Sequence, residues 1–532
     1  MTVSRRDLLK ALAASAALRV CGASWPMTAL SAQEQAGRLW VNKHLNLSQP
    51  VWRYYDASNH GADVVARHAR WRGGVAHLRS ILNDAQAAGR RVRAVGAGWS
   101  LSPCAISPDV MINTMPLNCH TVGVAPDDLS TSRFDPSCIV FAQCGTGVRE
   151  LSETLEARGL SLPTSGASNG QTICGAISTG THGSARRVGS MQDFMLGLHV
   201  LAEDGRQYWI ERESAPVVSA AFCQRLGATL VRDDLVFRAA VVGLGSFGII
   251  HAVMFEAAPG FLLEVHRRRL DWPQVAHAAA TLELDGLGLP YRDVEPFHLD
   301  IAVNPYSPKR GEGGAIVTAM YKRLLGPVPP RAVSDTAMVP GVDLLAMSGK
   351  FAGLMPGTIK RGVNSMFVSM MKATERPPLG THGQVFPTTP LIGHSLSTEI
   401  GVDLGDAGQA LGTLIDVANR YPFPGLFGVR YVQRSDALLA FTKFEMTCTI
   451  EMTGAGGDRT KKFYNRAWAA LDRAGIPYTQ HWGKINNTTA ANLRTRWGSS
   501  VDQWIAARRS LLSPAGRRLF SNDLLSACEL HG

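Results

Sequence analysis

Three glycine-rich segments carry the first chemical information in this sequence. In Val95-Gly96-Ala97-Gly98-Trp99-Ser100, small residues follow a strand-like stretch. Consecutive backbone N–H groups exposed by such a turn form a concavity for phosphate. The second segment runs from Pro163 to Gly183 and is dense in glycine, serine and threonine. Backbone can approach a ligand closely there, and small hydroxyls can hydrogen-bond to it. Ile173 and Ile177 lie within it, which argues against an ordinary surface loop. The third, Gly243-Leu244-Gly245-Ser246-Phe247-Gly248, matches G-x-G-x-x-G. That fingerprint needs a strand before it and a helix after it. Ile249, Ile250 and Val253 instead spell a following strand, closed by Pro259-Gly260.

These segments hang on alternating helices and strands. In His77–Gly89, Leu78, Ile81, Leu82 and Ala85 fall on one helical face, and Gly89 supplies the stop. Arg91–Val95 reads as a strand running into the first glycine turn. Ile139–Ala142 is a second strand, followed by a helix with Val148, Leu151 and Leu155 inward and Gly159 at its end. Leu196–Leu201 and Gln207–Ile210 flank Asp204-Gly205, a hairpin signal. Beyond Gly260 come strand-like runs at Ala315–Tyr321, Phe427–Val432 and Thr447–Glu451, a Met/Gly/Leu-rich stretch over 337–372, and a helical tail from about Ala490.

The 532 residues, 45% hydrophobic and 18% charged, describe a globular chain of two or three domains. The excess of basic residues, +11, is spread over pairs and triplets such as Arg186-Arg187 and Arg267-Arg268-Arg269. No nucleic-acid signature accompanies them, so no nucleic-acid partner is expected. The apolar run Ala239–Phe255 contains three glycines, Ser246 and His251, and reads as buried core rather than an integral membrane segment. The N-terminus, Ser4-Arg5-Arg6-Asp7-Leu8-Leu9-Lys10 before Ala11–Leu18, fits a twin-arginine export signal over residues 1–32 and a periplasmic or secreted location. The cysteines beyond it have no zinc spacing, and no metal is expected.

Taken in order, the glycine segments resemble the FAD-binding domain of the vanillyl-alcohol oxidase/p-cresol methylhydroxylase (PCMH) flavoproteins. Gly96–Ser100 is similar to its first phosphate loop, Gln171–Gly183 to its Q-T-x-G-G-x-x-x-x-G-T-H-G segment, and Leu235–Ile250 to its closing G-x-x-G-x-I-T stretch. In the second half, Tyr478-Thr479-Gln480-His481-Trp482-Gly483-Lys484 resembles the P-H-W-x-K motif of the sugar-1,4-lactone oxidase branch. Gly428–Tyr431 and Leu512–Phe520 resemble that branch's E-V-R-F and L-D-P-x-G-x-F segments.

The resemblance implies an α+β fold. A PCMH-type FAD-binding domain would occupy 51–260, an α+β substrate (cap) domain 261–485, and a helical segment 486–532 would return to the FAD domain. It also implies FAD as cofactor, contacted by Gly96, Ala97, Gly98, Trp99, Ser100, Cys144, Ser165, Gly166, Thr172, Cys174, Gly175, Ser178, Thr179, His182, Gly183, Gly248 and Ile249. Trp99 stands where many members carry the histidine that links FAD, so non-covalent FAD is expected. Cys174 replaces a usual glycine. Cys144 stands where the branch has a glycine that admits oxygen or an alanine that excludes it. Its larger side chain points to a dehydrogenase: if it excludes oxygen, a quinone or cytochrome takes the electrons, and otherwise oxygen does.

By the same resemblance, Lys484 supplies positive charge at the reacting centre, Glu399 is the acidic substrate-site residue, and His481 shapes the site. A hydride would pass to flavin N5 and the hydroxyl proton to a base. Gly401 stands where alditol and some sterol oxidases have an arginine, which leans towards a lactone or a bulkier, less polar substrate. The implied activity is oxidation of a CH–OH group of a D-arabinono- or L-gulono-1,4-lactone-like substrate by an exported enzyme. A polyol or sterol-type alcohol is the alternative substrate. A NAD-dependent dehydrogenase and a non-catalytic flavin or carbohydrate binder are the alternatives of another class. Arg430 is left open between a structural and a functional role.

Overall fold

Strand-forming residues before Gly260 build two sheets, and those after it build a third. The computed structural model describes residues 34–59, 67–326, 344–370, 377–388 and 394–531. The export signal expected over 1–32, and parts of the apolar stretch 337–372, lie outside the described residues.

Among the described residues, the first sheet contains β1 (Glu34–Val41), β2 (Ser48–Asp56), β3 (Val92–Val95) and β4 (Val110–Asn113), in the order β1-β2-β4-β3. β1 precedes residue 51, so this sheet begins upstream of the boundary read from sequence. The helix Arg67–Ala87 leads into β3, and Gly89, at φ 65°, lies in the turn between them.

Next in the chain are β5 (His120–Val122), β6 (Ile139–Gln143), β7 (Leu160–Ser161), β8 (Met195–Leu201), β9 (Gln207–Glu211), β10 (Thr229–Arg232) and β11 (Ile249–Glu256). All but β7 form a six-stranded sheet, β10-β9-β8-β11-β6-β5, while β7 pairs with β12 (Ala258–Pro259). β8 and β9 are the expected hairpin, with Asp204 and Gly205 both at positive φ. Gly243–Gly248 joins the helix Asp234–Ala240 to β11. A strand thus follows this G-x-G-x-x-G, and no dinucleotide-binding helix. Gly248, at φ 117°, comes so close to β8 that a Cβ would strike the Leu201 carbonyl.

The second half is an antiparallel eight-stranded sheet. It consists of β13 (Phe261–Leu270), β14 (His298–Val303), β15 (Ala315–Leu324), β16 (Leu379–Thr381), β17 (Ser395–Asp403), β18 (Gly425–Gln433), β19 (Met446–Ala455) and β20 (Tyr478–Gln480). Its order is β16-β13-β15-β14-β18-β19-β17-β20. Strand alternation decides its two faces. Ile301, Val429, Ile450 and Ile400 enter a core with the helices Trp272–Thr281, Ala407–Arg420 and Asp458–Arg473. Asp300, Arg430, Glu451 and Glu399 occupy the opposite face.

Within 344–370, Leu344, Phe351, Ile359, Val363, Phe367 and Met370 join that same core. The C-terminal helix Ser500–Leu511 instead packs on the first half: Trp504 and Ile505 share a core with Phe237 and Val242, and Trp504 Nε1 donates to Val242 O at 3.3 Å. The run Ala239–Phe255 is core, and among the described residues no helix is long and apolar enough to cross a membrane.

Candidate active site

One cleft runs from the first glycine turn to the polar face of the eight-stranded sheet. At its glycine-lined end, β3 delivers the chain into Gly96–Ser100. A Cβ on Gly96 would collide with the Thr172 hydroxyl, and one on Gly170 with the Trp99 indole. Glycine at these positions lets the two loops close on each other. The Thr172 hydroxyl also accepts the Gly175 N–H at 3.3 Å, capping the short helix Ile173–Ser178. Among the described residues the N–H groups of 97–100 donate to no backbone carbonyl. A turn with open N–H groups, in a cradle that side chains would fill, fits the pyrophosphate of FAD.

Of the residues expected to touch cofactor, Gly96, Ala97, Gly98, Trp99, Ser100, Cys144, Gly166, Thr172, Cys174, Gly175, Ser178, Thr179, His182 and Gly248 line this cleft. Ser165, Gly183 and Ile249 do not. Ser165 and Gly183 pack on each other behind the lining, where a Cβ on Gly183 would strike the Ser165 carbonyl. Ile249 faces the core, and strand alternation puts Ile250 in the cleft instead. Burial pushes the Cys144 thiol up to about 12 and raises Cys174 well above its ordinary value, with Cys144 adding to the effect. Both therefore line the cleft as neutral thiols. His44, on the turn between β1 and β2, is a lining residue that sequence reasoning missed. Its ring meets Trp99 edge-on, with centroids 5.5 Å apart. Burial, assisted by the charges of Lys484, His394 and Lys43, brings His44 down to about 4 against a backbone hydrogen bond at Trp99.

The charged end is assembled by strand register. Glu399 on β17 stands directly opposite Glu451 on β19, and Asp300 on β14 opposite Arg430 on β18. Two like charges facing each other across a ladder are unfavourable unless something lies between them. Lys484 does so: its Nζ is 2.6 Å from Glu399 Oε2 and 2.6 Å from Glu451 Oε1. Arg430 closes the other side, with Nη1 2.9 Å from Glu451 Oε2 and Nε 2.7 Å from Asp300 Oδ2. Burial opposes ionisation of Glu399, but Lys484 and His182 outweigh it and hold its carboxyl well below the usual range. Glu451 is likewise lowered, with Lys484 and Arg430 overcoming its burial. Asp300, buried behind Arg430, is pushed up to about 6.

The turn after β20 places Lys484. His481 N–H donates to Glu399 O at 3.1 Å, Ile485 N–H to Ser397 O at 3.0 Å, and Leu101 N–H to Gly483 O at 2.8 Å. Trp482 is fully buried, and its Nε1 donates to Leu439 O at 2.8 Å. The tryptophan of H-W-x-K is thus the anchor, and the lysine is what it presents.

Two imidazoles complete this end. His182 Nδ1 faces the Gly183 carbonyl at 2.9 Å and must donate to it, while Nε2 faces Glu399 Oε1 at 3.1 Å. A proton therefore sits between Nε2 and the carboxylate. His481 Nδ1 accepts the Gly483 N–H at 2.9 Å, and burial takes this ring down to about 3. It is therefore neutral, with its hydrogen on Nε2. The ligand atoms of His182, Glu399 and His481 lie within 4.8 Å of one another, a spacing a metal can use. Lys484 already neutralises Glu399, however, and the His481 lone pair at Nδ1 is taken. Gly401 has no room for an arginine, or for any side chain. A Cβ there would lie 2.8 Å from Thr447 Cγ2 and 2.9 Å from the Phe441 carbonyl.

All three expected catalytic residues, Lys484, Glu399 and His481, line the cleft, and Arg430 joins them. Sequence reasoning missed Glu451 and Asp300. Glu451 ends the run Thr447–Glu451, whose pattern spells only a strand.

Comparison with known proteins agrees with this geometry. Residues 73–211 match the family model described as "FAD binding domain". "L-gulono-1,4-lactone dehydrogenase" of Mycobacterium tuberculosis (strain ATCC 25618 / H37Rv) is 27% identical over 458 residues, covering 84% of this chain and 92% of that one. A "Putative D-arabinono-1,4-lactone oxidase" of Neurospora crassa is 32% identical over 189 residues, 36% of this chain and 29% of that protein. Among solved structures, "Solvent-stable cholesterol oxidase" superposes with a TM-score of 0.69 at 15% identity, over 93% of this chain and 98% of that one. This last likeness concerns the fold. The chain is thus an FAD-binding oxidoreductase with the PCMH-type flavoprotein fold.

Proposed function

We propose that this chain is an exported dehydrogenase that holds FAD without a covalent bond and oxidises a CH–OH group of a sugar 1,4-lactone. The observation that carries the reading is Lys484, clamped between Glu399 and Glu451 in the same cleft as the glycine turn. Bound FAD, held by Gly96–Ser100 and the 166–182 lining, supplies the electron acceptor such an oxidation needs.

The residues of the chain do the rest. Lys484 stabilises negative charge developing on the substrate oxygen. Glu399 accepts the hydroxyl proton. Held ionised by Lys484 and His182, this carboxylate is a weak base, and the charge of Lys484 beside the substrate oxygen favours loss of the proton to it as the C–H bond breaks. The Glu399 oxygen facing His182 Nε2 fixes the carboxylate's orientation, and His481 offers Nε2–H as a donor from the adjacent wall. The lactone is favoured over a polyol by Gly401 and by the names of the relatives, L-gulono-1,4-lactone dehydrogenase and D-arabinono-1,4-lactone oxidase. A sterol's apolar body has little to match in a wall of paired charges. Export rests on the Arg5-Arg6 signal, and loss of periplasmic or secreted protein in an Arg5→Lys/Arg6→Lys variant tests it.

The purified protein should show a flavin band that L-gulono- or D-arabinono-1,4-lactone bleaches anaerobically. A polyol should bleach it slowly or not at all. A colourless protein that FAD cannot reconstitute would overturn the reading. Acid precipitation should leave the flavin in the supernatant, and a yellow pellet would refute non-covalent binding. Readmitted air should reoxidise the bleached enzyme slowly, and Cys144→Gly should speed this by about tenfold or more, since a thiol in the cleft wall then gives way to open space. An unchanged rate would remove Cys144 from the argument, and with it the case for a quinone or cytochrome acceptor.

A further inference from the structure

Among the described residues, Glu451 is the one carboxylate within 3 Å of both cations at the charged end. Its Oε1 meets Lys484 Nζ at 2.6 Å and accepts the Ser397 hydroxyl at 2.8 Å, and its Oε2 accepts from Arg430 Nη1 at 2.9 Å. Glu399 takes the other side of Lys484, and Asp300 takes Arg430 Nε. Among the described residues lining the cleft, the remaining lysine or arginine is Arg93, and its guanidinium is turned onto the backbone carbonyls of Cys104, Leu244 and Gly245.

A ligand carboxylate entering this end would find every cation already paired and two ionised carboxylates in front of it. It would lose its water and gain no partner, which is unfavourable for any buried charge. A neutral hydroxylated ligand meets the opposite situation. Its hydroxyls can donate to the carboxylates and accept from Lys484 without disturbing the pairing.

We propose that Glu451 makes this cleft selective for uncharged polyhydroxy substrates, admitting a lactone and rejecting the open-chain aldonate into which the lactone hydrolyses. This rests on the reading of the charged end as the substrate site. Glu451 acts here as a specificity residue by occupying Lys484 and Arg430. The chemistry of the bound substrate is left to Lys484 and Glu399.

D-Gluconate and sorbitol are a suitable probe pair, because they share a carbon skeleton and differ at C1 as carboxylate and alcohol. Each is titrated into the oxidised FAD-loaded enzyme, with binding read from the perturbed flavin spectrum and so independent of turnover. The wild type should bind gluconate at least about tenfold more weakly than sorbitol, because charge repulsion at low dielectric is large. In Glu451→Gln the gap should close or invert, and in Glu451→Asp, which keeps the charge, it should persist. A general loosening of the fold would weaken both ligands and could not create gluconate binding. Wild-type affinity for gluconate equal to that for sorbitol would overturn the proposal, as would an unchanged gap in Glu451→Gln. If the wild type binds neither probe, gain of gluconate binding in Glu451→Gln supports the proposal and its absence overturns it. Should Glu451→Gln fail to retain flavin, Asp300→Asn decides, since it releases Arg430 from the far side and should narrow the same gap. Lactone turnover is scored separately: its absence would overturn the substrate reading and leave the charge comparison standing.

Discussion

At the glycine-lined end of the cleft the groups offered to a ligand belong to the backbone, whereas at the charged end they are side chains, on four adjacent strands and the turn after β20. The first end exists because side chains are missing: Gly96 lies against Thr172, and Gly170 against Trp99. The second exists because opposite charges are interleaved. Glu399, Glu451 and Asp300 are held by Lys484 and Arg430, and removing either cation takes from a buried carboxylate its nearest positive charge. The two ends should therefore fail in opposite ways, the first by adding atoms and the second by removing charge.

The largest effect should come from Lys484→Met. It removes the cation between Glu399 and Glu451 and leaves Arg430 on Glu451 alone, which costs about 3–5 kcal/mol of stability for a broken buried pair. It also removes the charge that stabilises the developing oxyanion, so kcat should drop about 10²–10³-fold. Flavin content should be unchanged, because no backbone contact at the other end is touched. Stopped-flow bleaching with the lactone and the flavin-to-protein absorbance ratio check both parts, and joint loss of flavin and rate would break the separation of the two ends. Gly96→Ala should do the reverse. Its methyl group drives into the Thr172 hydroxyl, for an overpacking cost of about 1–3 kcal/mol, and most of the protein should purify without flavin. Turnover per bound flavin should be close to that of the wild type. A normally yellow Gly96→Ala protein would show that the loop can move aside and that the turn is not the cradle.

The same contrast explains what could be read from sequence. A backbone site is written in consecutive residues, because one turn supplies all of its N–H groups, and 96–100 and 163–183 were visible for that reason. A site of side chains on neighbouring strands is scattered: Asp300 and Glu451 are separated by 151 positions and are brought together only by the register of β14, β18 and β19. Nothing around Glu451 marks it, since an acidic residue on the polar face of a strand is ordinary. Lys484 was visible only because Trp482 and His481 give its turn a rare local pattern. The misplaced residues have a simpler cause. Ile249 and Ile250 differ by one position in a strand, and one position exchanges core for cleft. His44 was invisible because an isolated histidine in a turn has no spacing to read.

The smallest expected effect tests whether the two ends are electrostatically separate. His44 belongs to the glycine-lined end, and burial is the main reason it titrates near 4, but the charge of Lys484 also lowers it. An unfolded histidine titrates near 6.5, so below that pH the unfolded chain takes up a proton that folded His44 refuses. Stability from this group is full above about 6.5 and is lost as pH falls towards 4, at up to about 1.4 kcal/mol per pH unit. His481, neutral down to about 3, acts in the same direction from the charged end. His44→Leu should therefore raise the wild-type Tm by a few degrees at pH 5 relative to its effect at pH 8. A Tm shift equal at both pH values would mean that packing, and not protonation, is being measured. In a Lys484→Met background the same substitution should gain less at pH 5, because His44 without that neighbouring charge binds its proton more readily in the fold and penalises acid less. An identical gain in both backgrounds would show that the charge of Lys484 does not reach the cofactor end, and the cleft would then be two sites that merely share a wall.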